Sequence, residues 1–196
     1  METWKDLSKF ATENKDLIGF ILVVVGSAIA LARYSYDKAW ERNKFAHDYA
    51  DQIYADPACR LAMDMIDWNH TDTPKVVPEC LGVPAGCTIV WSDATVAHAL
   101  RLHAPFSPEE YLIRGAFDAL LNRLDRVGFA VRLGLLIRAE FPTSLNYYFN
   151  RLEQRQLLGS AFAAYAERYG FKHVPKLWPR LRQLRTGANS RSAAAA

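Results

Sequence analysis

The chain has 196 residues and a net charge of +3, with 24 lysines and arginines against 21 acidic residues. Its 51% hydrophobic and 12% aromatic content excludes a disordered chain, and three cysteines are too few for a disulfide scaffold. A mean hydropathy of -0.11 excludes a protein with many membrane spans but allows one span. The length suits one domain, with or without an appendage.

The longest uncharged stretch, LIGFILVVVGSAIALA, covers residues 17–32 between Asp16 and Arg33. As a helix it spans about 24 Å, and continuing it to Tyr36 gives about 30 Å, the thickness of a hydrocarbon core. The stretch has no polar stripe, although a helix that packs on a soluble core usually has one. We therefore predict a transmembrane helix over residues 17–36.

Two other interpretations of this stretch stay open: a buried helix of a soluble protein, and a signal peptide cleaved after Ala30-Leu31-Ala32. Against cleavage, four acidic residues precede the stretch, whereas a signal peptide begins with a basic segment. Four basic residues follow the span closely and three precede it, which favours a cytosolic C-terminal domain by the positive-inside rule. We expect the protein in a membrane, with its C-terminal domain in the cytosol.

The predicted domain organisation follows from this span. Residues 1–16 form an amphipathic segment at the membrane interface, 17–36 the transmembrane helix, 37–56 a helical stalk, 57–185 a helical cytosolic domain, and 186–196 a disordered or non-native tail. The predicted fold class is mainly α. A single N-terminal transmembrane helix continues into the stalk, and a compact helical bundle with a small irregular or hairpin insertion follows.

Caps and breakers place the first elements of the cytosolic domain. Asp56-Pro57 opens a helix that ends near Trp68, Val76-Val77 and residues 88–91 pair as a small hairpin, and Ser92 caps a helix that reaches Leu102. The strongest signal is Ser107-Pro108-Glu109-Glu110, a capping box with proline at the first helical position.

The rest of the domain is predicted to be helical as well. Helical spacing continues from the capping box to Phe141, with a break allowed near Gly128. A further helix is predicted from Thr143 or Ser144 to Tyr169-Gly170, and a last short helix from about Pro175 to Gly187.

Candidate chemical sites are few. Asp64, Asp67 and His70 stand at intervals of three and could hold a divalent ion, or they form a solvated acidic edge. Cys80 and Cys87 flank a short loop and could form a disulfide or half of a metal site, but free thiols are favoured. The chain has no GxSxG, GxGxxG or P-loop motif. We expect no catalytic residue, no cofactor and no bound metal.

Two features predict partners besides the lipid bilayer. Gly26 and Ala30 lie four residues apart in the span, a spacing at which small residues let helices pack closely. No acidic residue follows Glu167, whereas seven basic residues do. The predicted basic segment consists of Arg168, Lys172, Lys176, Arg180, Arg182 and Arg185. This segment would bind anionic lipid or nucleic acid, or it is a solvated terminal helix.

Two stretches of the chain are similar to a known group of proteins: FDALLNRLDRVGFAVRLGLLI at residues 117–137 and FPTSLNYYFNRL at 141–152. They resemble a group of uncharacterised bacterial membrane proteins with one N-terminal span and a helical cytosolic domain. The resemblance implies the topology, the helical body and a location in the bacterial inner membrane, but no activity and no site residue. The leading hypothesis is a single-pass accessory or scaffold subunit of a membrane complex, which binds other subunits or itself. The alternatives are a tethered binder of anionic lipid or nucleic acid and, less favoured, a metal-dependent enzyme.

Overall fold

The computed structural model describes residues 15–68, 73–101, 105–136 and 143–178, and this part of the chain is mainly helical. It confirms the predicted fold class at that level, with one long apolar helix near the N-terminus. The chain divides into two compact units after Glu41. The predicted interfacial segment 1–16 lies almost wholly outside the described residues, and so does the predicted tail 186–196.

The first unit contains the apolar part of α1 (Lys15–Ala55). An 18-residue window of this helix has a mean hydropathy of 2.1, and none of the window is buried. The helix is therefore long and apolar enough to cross a membrane, by a test of length and composition that signal sequences and soluble core helices also pass. The predicted continuation of the span as helix is confirmed, because α1 runs without interruption to Ala55.

The second unit holds the last part of α1, from Arg42 onward, and all later elements. Ala46, Ala50 and Ile53 of α1 are buried in the core of this unit. In chain order the later elements are α2 (Pro57–Asp67), β1 (Lys75–Val76), a 3-10 turn (Glu79–Leu81), β2 (Thr88–Ile89), α3 (Asp93–Ala99), α4 (Pro108–Arg132), α5 (Thr143–Gln154), α6 (Gln156–Arg168) and α7 (Val174–Leu177). The two short strands pair antiparallel, with Lys75 opposite Ile89 and Val76 opposite Thr88. The pairing lies one residue earlier on the first strand than the sequence indicates.

The predicted caps are confirmed. Asp56 accepts hydrogen bonds from the backbone N–H groups of Ala58 and Cys59 at the start of α2, and Pro57 takes the first helical position. At the start of α4, the Ser107 hydroxyl accepts from the N–H of Glu110, and the Glu110 carboxylate accepts from the N–H of Ser107. Ser92 caps α3 in the same way, through the N–H of Thr95.

Helix ends in the second half of the domain differ from the predictions. Helix α4 passes through Gly128 without a break and ends at Arg132 rather than near Phe141. Its end is a Schellman motif, in which Gly134 has φ +72° and residues 134 and 135 donate back to the carbonyls of residues 131 and 130. The predicted helix from Thr143 to Tyr169 is two helices, separated at Arg155. Helix α3 ends three residues early, and α7 ends at Leu177.

Helix α4 forms the centre of the core of the second unit. Its buried side chains include Ile113, Phe117, Leu120, Leu121 and Leu124. These residues repeat every three or four positions, so one face of the helix is apolar along most of its length. The ring of Phe117 meets that of Phe162 on α6 edge to face, with centroids 6.0 Å apart.

Gly128 allows the chain before α7 to lie directly on α4. A Cβ atom at position 128 would stand 2.2 Å from the backbone oxygen of His173. The same turn is held by the N–H of His173, which donates to the Asp125 carboxylate at 2.6 Å. The glycine therefore serves close backbone packing, and the break that the sequence allowed near this position does not occur.

Substitution of Gly128 by alanine tests this packing. We expect a loss of about 1–3 kcal/mol in the free energy of unfolding, because the added methyl group meets backbone atoms that cannot move aside cheaply. Gly115→Ala on the same helix is the matched control, since its Cβ would meet only the flexible side chain of Leu81, at 3.1 Å. Thermal unfolding followed by circular dichroism in detergent compares the two. Equal melting temperatures would contradict the close approach at His173.

Candidate functional site

Buried charged side chains often mark functional sites, because burial of a charge costs free energy unless a ligand or a structural partner compensates it. Among the described residues, the buried charged side chains are Glu110, Arg114 and Arg155. Their partners decide between a site that receives a ligand and a contact that holds the fold together.

Arg155 stands at the junction of α5 and α6 and contacts two other helices. Its guanidinium donates to the carbonyl oxygens of Met65, Ile66 and Trp68 at the C-terminal end of α2. It also forms an ion pair with Asp93 in the first turn of α3. The positive charge compensates carbonyl groups that a helix end leaves unpaired. Burial lowers the pKa of Arg155.

Asp67 of the predicted metal triad is held by α5. Arg151 donates to its backbone oxygen at 2.6 Å and lies 3.6 Å from its carboxylate, and the Tyr147 hydroxyl donates to the same carboxylate. This hydrogen bond raises the pKa of Tyr147. Burial raises the pKa of Asp64, and His70 lies outside the described residues. Within residues 15–68, 73–101, 105–136 and 143–178, no three His, Cys, Asp or Glu side chains form a metal-binding group.

Glu110 joins the start of α4 to the end of α3. Besides capping its own helix, its carboxylate accepts hydrogen bonds from Arg101 and lies against the His98 ring. The bonds from Arg101, together with the Ser107 N–H, lower the pKa of Glu110 to about 2. The carboxylate is therefore ionised near neutral pH, with its oxygens already used by the chain itself.

Arg114 is enclosed by aromatic rings and backbone oxygens. Its guanidinium carbon lies 4.1 Å from the ring centroid of Phe106, 4.8 Å from that of Tyr165 and 5.1 Å from that of Tyr169. The same group donates to the carbonyl oxygens of Ala99 and Arg101 and to the Tyr169 hydroxyl at 2.6 Å. Arg114 thus holds the chain after α3 against α4 and the end of α6.

Tyr165 connects this cluster to a second carboxylate. Its hydroxyl donates to Asp118 at 2.8 Å. Burial raises the pKa of Asp118, and burial together with this hydrogen bond raises the pKa of Tyr165. A half-buried carboxylate can act in proton transfer, but Asp118 and Tyr165 here are hydrogen-bonded to each other within the fold.

A cavity lies among α2, α4, α5 and α6, with a volume of about 10 Å³. This is close to the smallest volume that holds one water molecule. Its walls are formed by Met63, Ile66, Leu120, Leu124, Leu145, Tyr148, Phe149, Leu152 and Phe162. The cavity is therefore too small for an organic substrate and offers it no charged group.

The residues predicted to bind partners are exposed or lie outside the described residues. Gly26 and Ala30 are exposed on α1. Arg168 and Lys172 of the basic segment are exposed as well, while the Lys176 side chain and Arg180, Arg182 and Arg185 lie outside the described residues. Cys80 and Cys87 are free thiols, as is the buried Cys59, whose pKa is raised by burial to about 12.

Trp178 fixes the chain between Lys176 and Arg180 of the basic segment. Its buried ring stacks on that of Phe149, with centroids 5.2 Å apart and planes 12° from parallel. Its indole N–H donates to the Glu153 carboxylate at 2.7 Å. Trp178 is therefore a fixed point, after which the chain carries Arg180, Arg182 and Arg185.

The clusters around Arg114 and Arg155 are not predicted by the sequence. The acceptors of Arg155 lie 62 to 90 residues away in the chain, and Arg114 binds Tyr169 across 55 residues. An arginine among apolar residues at core spacing is the one available signal, and it does not identify the partners.

Comparison of the chain with protein families, with curated proteins and with solved structures gives no match.

Arg155→Met tests whether the guanidinium holds three helices together. We expect a loss of about 3–5 kcal/mol in the free energy of unfolding, because Asp93 and the α2 carbonyls lose their buried partner. Arg168→Met, at the exposed end of α6, is the matched control, with an expected change within about 0.5 kcal/mol. Melting curves of both variants in detergent make the comparison. A similar, small loss in both would show that Arg155 is not a structural clamp.

Proposed function

We propose that the protein is a single-pass membrane-anchored accessory or scaffold subunit of a membrane complex. Helix α1 crosses the bilayer over residues 17–36 and continues as helix to Ala55, so the stalk predicted over residues 37–56 joins the second unit from Arg42 onward. Residues 57–185 form a helical bundle with a small hairpin insertion, which faces the cytosol at the bacterial inner membrane. The observation that carries the proposal is the exposed apolar window of α1.

The energetics of this window favour lipid over water. Ten residues of the stretch 17–32 are Leu, Ile, Val or Phe. Each favours insertion at the centre of a membrane helix by about 0.3–0.6 kcal/mol, so together they contribute about 3–6 kcal/mol. Phe20, Leu22 and Val23 are among the exposed side chains that would gain from burial in lipid.

The body supports a binding role rather than a catalytic one. The buried charges of Glu110, Arg114 and Arg155 are all bonded to the chain's own backbone or side chains. The cavity between the helices is the size of a water molecule. By contrast, large side chains such as Tyr111 and Trp68 are exposed, and aromatic residues are enriched at protein interfaces.

A second candidate function is the binding of anionic lipid or nucleic acid by the basic segment. Burial of Trp178 favours it, because the fixed indole sets the point on the second unit from which the chain continues to this segment's last arginines. Seven basic and no acidic residues from Arg168 onward give this part of the chain a charge that attracts phosphate.

Native mass spectrometry of the full chain, taken from its own membranes in mild detergent, tests the proposal. We expect a mass that contains at least one further protein chain, either a different subunit or a second copy. Gly26→Leu with Ala30→Leu should reduce the complex if the span packs through these residues, and Ala28→Leu with Ala32→Leu adds similar bulk to the other face. A monomer with no bound protein would contradict the accessory role.

The same measurement separates the second candidate. Bound anionic lipid or nucleic acid should be lost when Arg180, Arg182 and Arg185 are replaced by alanine and retained when they are replaced by lysine, since lysine keeps the charge. Equal binding by both triple variants would remove the basic segment from consideration.

A further inference from the structure

The C-terminal end of α4 carries three large apolar side chains that the fold leaves exposed. Phe129 is 44% exposed, Leu133 55% and Leu135 58%. In a Schellman motif, the residue after the left-handed glycine usually packs back on the last turn of the helix. Leu135 occupies this position and donates its N–H to the Ala130 carbonyl at 3.0 Å, yet its side chain is mostly in solvent. The backbone of this turn is therefore fixed by hydrogen bonds, while the apolar side chain of Leu135 stays exposed to solvent.

Basic side chains surround this apolar surface. Arg126, Phe129 and Arg132 follow at intervals of three on α4, so they lie on the same side of the helix, and both arginines are exposed. From Arg126 to Leu136 the chain has no acidic residue. The ring of His173 packs on that of Phe129, with centroids 5.1 Å apart, and the exposed Lys172 precedes it.

One acidic residue lies beside this surface. Asp125 precedes Arg126, and one oxygen of its carboxylate accepts the hydrogen bond from the His173 N–H. With Arg126, Arg132 and Lys172 against Asp125, the basic side chains are in excess. A positively charged surface with apolar side chains at its centre matches an anionic lipid interface, where phosphates lie above acyl chains.

We propose that this surface, formed by residues 126–136 and Lys172 and called the α4 tip, docks on the anionic surface of the membrane. Phe129, Leu133 and Leu135 enter the interface, and the basic side chains contact lipid phosphates. The inference rests on the proposed membrane anchor, which keeps the tip at a high local concentration of lipid. Only residues 37–41 separate the predicted span from the compact second unit.

Spin labels on the full chain in nanodiscs test the docking. Cys80 and Cys87 are replaced by serine, while the buried Cys59 stays because its raised pKa makes it unreactive. Single cysteines then carry the label at Leu133, at Leu157 and at Leu22. Leu157 is the matched control, since it is the same residue type and is also 55% exposed, but it lies on α6. Discs contain phosphatidylcholine with or without phosphatidylglycerol.

We expect the label at Leu133 to be relaxed more by oxygen than by a water-soluble nickel chelate when phosphatidylglycerol is present. The label at Leu157 should show the reverse order. Without phosphatidylglycerol, or with Arg126, Arg132 and Lys172 changed to glutamine, the order at Leu133 should also reverse, because the attraction to lipid phosphate is lost. Melting temperatures of the labelled variants check that each one is folded.

The outcomes separate the inference from the proposed function. Greater relaxation by nickel at Leu133 in all discs, with Leu22 shielded from nickel, overturns the docking and leaves the anchor intact. Greater relaxation by nickel at Leu22 overturns the anchor itself. Shielding of Leu133 from both reagents in detergent without lipid means that a protein covers the α4 tip, and it overturns the lipid assignment. Shielding that is independent of phosphatidylglycerol overturns the role of the basic side chains.

Discussion

The apolar surface of α1 over residues 17–32 decides which environment the chain needs. Water cannot stabilise so many aliphatic side chains on one exposed helix, and the described chain does not bury them. A bilayer satisfies both needs of such a segment, since the helix pairs its own backbone groups and the lipid covers its side chains. Once α1 is placed in the membrane, the exposed α4 tip and the basic segment are candidates for surfaces that meet anionic lipid.

Two buried arginines connect the helices of the second unit to one another. Arg155 compensates the carbonyl end of α2, and Arg114 holds the segment after α3 through backbone oxygens and three aromatic rings. Each of these arginines donates its hydrogen bonds to the protein itself, so its charge stabilises the fold.

Local signals predicted much of the helix architecture. Asp56-Pro57 and the Ser107 capping box act within one helical turn, and the structure shows both. The structural roles of Gly128 and Arg155 were missed because they depend on distant parts of the chain. The backbone of His173 occupies the space beside Gly128. Arg155 binds Asp93 and the end of α2, and its backbone leaves helical geometry between two helices. The candidate surfaces were predicted in part, since the charge of the basic segment is visible in the sequence but the exposure of Phe129 and Leu135 is not.

Alkaline extraction of native membranes, followed by intact mass measurement, tests whether residues 17–32 anchor the chain in a bilayer without being cleaved. We expect the chain to stay in the membrane pellet, and we expect the mass of the chain to include residues 17–32. A chain shortened after Ala32 would show that the stretch is a signal peptide. A chain that retains these residues but moves to the soluble fraction would show that α1 is covered by protein rather than by lipid.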